Sequence, residues 1–108
     1  MCGIAGRVGA DCGDRNVLSR MVSTLKHRGP DGSGEYCVPG VELGMRRLAV
    51  IDVVNGQQPV VLGDGEIVLV FNGEIYNYRQ LRSELVALGH SFGTDSDSEV
   101  AARAYQEW

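Results

Sequence analysis

Apolar residues recur along this chain in two rhythms. Between Asp14 and His27, the residues Val17, Leu18, Met21, Val22 and Leu25 return at intervals of three and four. That is the period of a helix with one buried face. Asp14 stands where a side-chain oxygen can cap its first turn. The rhythm returns after Asn77, with Leu81, Leu85 and Leu88 as the stripe. Gln80 sits at capping-box distance from Asn77, and Gly89 supplies a stop. Ser96 and Glu99 repeat the capping spacing ahead of Val100, Ala101, Ala104, Tyr105 and Trp108. The apolar face is still running at Trp108, which predicts that the domain continues beyond it.

The other rhythm is short and glycine-punctuated. "GIAGRVG" at 3–9, "GEYCV" at 34–38 and "VELGMRRLAVID" at 41–52 read as strands. "ADCGD" reads as a turn. "HRGPDGSG" at 27–34 and "NGQQP" at 55–59 read as loops, because proline and glycine cannot continue a helix. "VVLGDGEIVLVFNGEIYN" carries two hairpin signals: Gly63-Asp64-Gly65, and Asn72-Gly73, a preferred type I′ pair. Strands and helices together give an α+β chain, with no linker, repeat or low-complexity segment.

Composition narrows the function. A chain of 108 residues is one small domain. The net charge of -4 argues against nucleic-acid and anionic-membrane surfaces, which favour basic patches. No apolar run approaches the ~20 residues of a membrane span. No export signal is visible, so the expected compartment is the cytoplasm. The three cysteines, Cys2, Cys12 and Cys37, contain no Cys-x-x-Cys and no close ligand spacing with His27 or His90. Neither a disulfide framework nor a metal site is expected. Cys12 and Cys37 are most simply small apolar residues.

Cys2 is different. If Met1 is removed, Cys2 carries both a thiol and a free α-amine, and an N-terminal amine can serve as the base that activates a nucleophile. A bland alternative is an incidental residue in a frayed end. Against it stands the strand that starts at Gly3. A thiol attacking a carbonyl needs donors for the developing oxyanion. Asn72 offers its side-chain amide and Gly73 an unshielded N–H, although Asn-Gly alone reads first as a turn. Arg46 and Arg47 adjoin an apolar run, where one of them can grip a carboxylate and the other face solvent. Asp97, at the start of a helix, suits an ammonium group or is simply a helix-start acid. Glu74 lies close by in sequence to the turn.

These residues taken together resemble the N-terminal glutaminase domain of the class II glutamine amidotransferases. The asparagine synthetase-like branch matches best. The resemblance is carried by Met1-Cys2-Gly3-Ile4-Ala5-Gly6, "HRGPDGSG" at 27–34, "RRLAVID" at 46–52, "FNGEIYNYRQLR" at 71–82 and "SDSEV" at 96–100, in order over nearly the whole chain.

The resemblance implies a four-layer αββα Ntn-hydrolase sandwich of antiparallel sheets, of which residues 1–108 are the N-terminal part. It implies glutamine as substrate and Cys2 as nucleophile. Asn72 and Gly73 take the oxyanion hole, Arg47 the carboxylate, and Asp97 the α-ammonium with Glu74 beside it. The released ammonia passes to a C-terminal synthetase domain that uses ATP and Mg2+ to amidate aspartate. That domain is absent here, and so is any nucleotide-binding loop. No metal or cofactor is implied for these residues, and a homodimer of the full-length enzyme is an assembly the resemblance allows. Two alternatives stay open: another class II amidotransferase with a different acceptor, and a binding module that keeps the fold without the activity.

Overall fold

The computed structural model describes residues 1–108. Three strands, β1 (Gly3–Val8), β2 (Gly32–Val38) and β3 (Val41–Arg47), form an antiparallel sheet in the order β1-β3-β2. A Pro39-Gly40 turn joins β2 to β3, with Gly40 supplying φ +87°. In the register, Gly3 faces Arg46 and Gly32 faces Arg47. Strand β4 (Val60–Leu62) pairs with β5 (Ile67–Leu69) as a second antiparallel ribbon. The Gly63-Asp64-Gly65 signal makes that reversal, and all three residues take positive φ.

Helix α1 (Arg15–Ser23) lies on one face of the first sheet. Asp14 caps it by accepting the Asn16 N–H at 3.0 Å. Its buried residues Leu18 and Val22 sit over Gly44, where a Cβ would collide with Val22 and lie 3.1 Å from Leu18 Cδ1. The bare glycine therefore sets how closely helix and sheet approach. The helix stops at Ser23 rather than His27. The following residues tighten into i→i+3 bonds, such as Leu25 N–H to Val22 O and Lys26 N–H to Ser23 O.

Helices α2 (Tyr78–Ala87) and α3 (Asp97–Glu107) pack together, and α3 also packs on the β4–β5 ribbon. Helix α2 ends as Gly89 predicts. At φ +101° it donates to Val86 O, while His90 N–H reaches back to Leu85 O. That is a Schellman closure. The start of α2 departs from expectation: Asn77 holds the cap position, but its side chain makes no capping bond. Gln80 instead donates to Glu84, one turn along, so the capping box is not made. Of the predicted stripe Leu85 is buried, whereas Leu88 is exposed. In α3, Ser96 caps through the Glu99 N–H at 3.2 Å, and Val100 is buried. Tyr105 and Trp108 remain 79% and 67% exposed.

Three other expectations are corrected. β2 begins at Gly32, inside the segment read as loop. β3 ends at Arg47 rather than Asp52, because the chain beyond it curls around the Arg47 guanidinium. Asn72-Gly73 makes no hairpin: β5 ends at Leu69, and an irregular segment runs into α2. The donors a ladder would use are taken by side chains from elsewhere, Phe71 N–H by Gln58 Oε1 at 2.6 Å and Ile75 N–H by Asp97 Oδ2 at 3.1 Å.

One charged pair lies inside the first layer. Glu42 on β3 is fully buried and takes Arg7 Nε at 2.7 Å, a second Arg7 nitrogen at 3.1 Å and the Gly13 N–H at 2.7 Å. The paired guanidinium, then the backbone N–H, hold the Glu42 carboxyl below its usual range, and the pairing raises Arg7. On the sheet face away from α1, Met45 is buried while Ile4 and Val8 on the β1 edge are 49% and 80% exposed. No helix is long and apolar enough to cross a membrane.

Candidate active site

The chain start, the end of β3, the segments that follow β3 and β5, and the first turn of α3 enclose a cavity of about 390 Å³. That is ample for a small amino acid-sized ligand. Its wall includes Cys2, Arg47, Asn72, Gly73, Glu74 and Asp97, while Arg46 lies outside it.

Cys2 immediately precedes β1, so the Gly3–Arg46 pairing holds it beside the end of β3. The Leu48 N–H donates to Cys2 Sγ at 3.3 Å, and the thiol faces Leu48 O at 3.7 Å. Arg28 Nε donates to the Cys2 carbonyl at 3.1 Å. The first residues are therefore tied down on three sides rather than frayed. The "HRGPDGSG" segment supplies the Arg28 tie and braces the end of β3 from which Leu48 follows. Gly29 passes directly over the backbone between Arg46 and Arg47, where a Cβ would collide. Asp31 accepts the Ala49 N–H at 2.8 Å.

The two arginines divide as their alternation on β3 requires. Arg46 turns to the α1 side and donates to Gly29 O at 2.8 Å. Arg47 turns inward and is buried. It donates to the carbonyls of Ile51 at 2.8 Å, Asp52 at 2.7 Å and Val53 at 3.1 Å. A guanidinium has five N–H groups. Two of them, the Nε–H and one Nη1–H, carry no protein partner. The apolar "AVID" run, which the sequence presents as more strand, joins Val53 in a carbonyl collar around the guanidinium instead. The one local sign was Gly56, now buried against the Arg47 guanidinium.

Opposite stand the donors and the acid. Phe71 is anchored through Gln58, and Asn72 and Gly73 follow directly. Asp97 is buried at the first turn of α3 and uses Oδ2 for the Ile75 N–H, leaving Oδ1 without a protein partner. Glu74 is exposed at the rim. The turn before α3 is held by Glu99, whose buried carboxylate accepts Gly93 N–H at 3.0 Å, Thr94 N–H at 2.8 Å and Thr94 Oγ1 at 2.6 Å. The sequence pointed to Glu99 as half of a capping box, but its carboxylate clasps this turn instead.

A thiol, a pair of amide donors, a buried arginine and a buried aspartate thus share one cavity. Residues 1–108 match the profile of the glutamine amidotransferase domain throughout. The chain belongs to the glutamine amidotransferase domain family. Its relatives include an asparagine synthetase [glutamine-hydrolyzing] of Bacillus subtilis (strain 168), 41% identical over 113 residues, covering all of this chain and 18% of that protein. Another is the asparagine synthetase [glutamine-hydrolyzing] of Zea mays, 40% identical over 111 residues, covering all of this chain and 19% of that protein. A third, from Arabidopsis thaliana, is 41% identical over 110 residues, with 99% and 19% covered. This amidotransferase-domain chain therefore spans less than a fifth of the length of these relatives.

Proposed function

We propose that this domain hydrolyses glutamine with Cys2 as nucleophile and supplies ammonia for asparagine synthesis. The observation that carries the reading is the gathering of Cys2, Arg47, Asn72, Gly73 and Asp97 on one cavity. In this reading Met1, which borders the same cavity, is removed, and the α-amine of Cys2 opens onto it. Arg47 offers a remaining N–H to the substrate carboxylate, and Asp97 Oδ1 takes the α-ammonium, with Glu74 at the rim. The side-chain amide then lies over the sulfur.

The α-amine, with an ordinary pKa near ~8, accepts the thiol proton. Sγ attacks the amide carbon, and the carbonyl electrons move onto oxygen, where the Asn72 amide and Gly73 N–H meet the charge. Collapse breaks the C–N bond, and the α-ammonium returns its proton to the departing ammonia. Water, deprotonated by the same amine, attacks the thioester and releases glutamate and the thiol. Glutamine and water have become glutamate and ammonia.

The reading extends to the whole protein. It implies an αββα sandwich completed by chain beyond these residues, and a cytoplasmic enzyme whose synthetase domain amidates aspartate with ATP and Mg2+. The residues present do not fit those groups. No three His, Cys, Asp or Glu side chains gather as a metal site, and no nucleotide loop exists in the sequence. No step here passes through ATP or a metal.

The test is glutamate release by the full-length protein, with mass spectrometry of its N-terminus. Cys2→Ala should abolish release, and Cys2→Ser should leave a small remnant at most. Undiminished hydrolysis in Cys2→Ala, or an active enzyme that retains Met1, would overturn the proposal.

A further inference from the structure

Arg47 and Asp97 belong to different layers. Arg47 ends β3, and Asp97 starts the helix packed on the second ribbon. A ligand held by both must find them at a fixed separation. Only one hydrogen bond joins residues 1–54 to residues 60–108: the Asp95 N–H donates to Asp52 Oδ2 at 2.8 Å.

Both ends of that bond are one step from the grip. Asp95 lies two residues before Asp97. The backbone carbonyl of Asp52 accepts from the Arg47 guanidinium at 2.7 Å and from the Gly56 N–H at 2.9 Å. The other carboxylate oxygen accepts the Asn55 N–H at 3.0 Å, which fixes the side chain's direction. Asp52 takes φ +47°, a left-handed conformation that aspartate tolerates better than most residues. The Asp95 N–H, then that of Asn55, hold its carboxyl below the usual range, so it stays ionised.

We propose that Asp52 is a positioning residue for amino-acid recognition, a strut whose carboxylate sets the span between Arg47 and Asp97. This rests on the glutamine reading above and adds to it a residue that touches no substrate. The strut makes no hydrogen bond to Cys2, Asn72 or Gly73. Its loss should therefore loosen the hold on the charged end of glutamine while leaving the thiol chemistry in place.

The experiment compares full-length wild type, Asp52→Ala and Asp52→Asn. It measures KM and kcat for glutamine, and the alkylation of Cys2 by iodoacetamide and by a glutamine-shaped chloroketone. In Asp52→Ala, KM should rise and chloroketone labelling should slow by about tenfold to a hundredfold. The kcat and the iodoacetamide rate should stay within about threefold. Asp52→Asn should fall between, because its single carbonyl oxygen cannot replace both carboxylate acceptors. Unchanged KM, or equal slowing by both reagents, would overturn the strut. Failure of both variants to fold would do the same, since Asp52 would then serve the fold and not the grip. A wild type that shows no glutamine-protected labelling of Cys2 would overturn the glutamine reading itself, and this inference with it.

Discussion

Gly34 offers a quantitative test of how the layers are spaced. It lies on β2, on the face turned away from α1, where the Gln58–Pro59 segment crosses the sheet. A Cβ at Gly34 would overlap the Gln58 carbonyl oxygen and lie 2.8 Å from both Gln58 C and Pro59 Cδ. Ordinary carbon contacts begin near ~3.5 Å. The crossing segment must therefore retreat by well over half an ångström, and its carbonyl further. Overpacking of this kind costs about 1–3 kcal/mol. Replacing glycine by alanine returns about 0.4–1 kcal/mol through the unfolded chain, so the net expectation for Gly34→Ala is a loss of up to about 2.6 kcal/mol.

Gly32, two residues earlier on the same face, provides the control. A Cβ there meets nothing nearer than Gln57 Oε1 at 3.9 Å, so Gly32→Ala should be neutral or stabilising by up to about 1 kcal/mol. Function should follow the same division. The Gln58 side chain anchors Phe71 N–H, directly before Asn72 and Gly73, so on the proposed reading a displaced Gln58 misaims the oxyanion donors. A misplacement of that order can cost up to ~100-fold in rate. Urea melts and glutaminase kcat on the full-length variants decide the matter. Equal stability and equal kcat for Gly34→Ala and Gly32→Ala would refute the close approach and the route from β2 to the donors.

Glu42→Gln should alter the acid limb of stability. The folded carboxyl is held below its ordinary 4.5 by Arg7 and the Gly13 N–H, so its stabilisation is complete above about that pH and drains away as pH falls through the depressed value. The variant should be less stable at pH 7 and lose little more on acidification, as urea midpoints from pH 7 to pH 3 would show. Arg47→Lys should raise the glutamine KM by about tenfold or more at near-constant kcat, because three ammonium donors cannot serve three carbonyls and a carboxylate together. Steady-state kinetics test this, and an unchanged KM would mean that Arg47 only supports its loop.

The local elements were largely legible because local chemistry decides them. Asp14, Gly89 and the Gly63-Asp64-Gly65 turn act within a few residues, and each behaves as its neighbours dictate. The helical stripes also read correctly where a layer covers them, at Leu18, Val22 and Leu85. Expectation failed where a distant side chain claims a backbone donor. Gln58 and Asp97 convert the Asn72-Gly73 segment from hairpin to irregular chain, and no window of local sequence contains both partners. The same holds for β3, whose apolar continuation looks like strand until Arg47 gathers three carbonyls from it. Arg7 and Glu42 left a faint sign, a charge in each of two apolar strands. Their adjacency depends on the β1–β3 register, which spacing alone does not fix.

That register has a further consequence for Cys2. Its sulfur sits beside Leu48 because a fixed number of residues separates it from the first ladder pair, and Leu48 from the last residue of β3. Inserting or deleting one residue in either strand would slide the thiol along the sheet by ~3.3 Å and turn its neighbours to the opposite surface. Here the reactive atom is located by counting. The tally of peptide units from Cys2 into β1, and from the paired residues of β3 to Leu48, sets where the thiol lies.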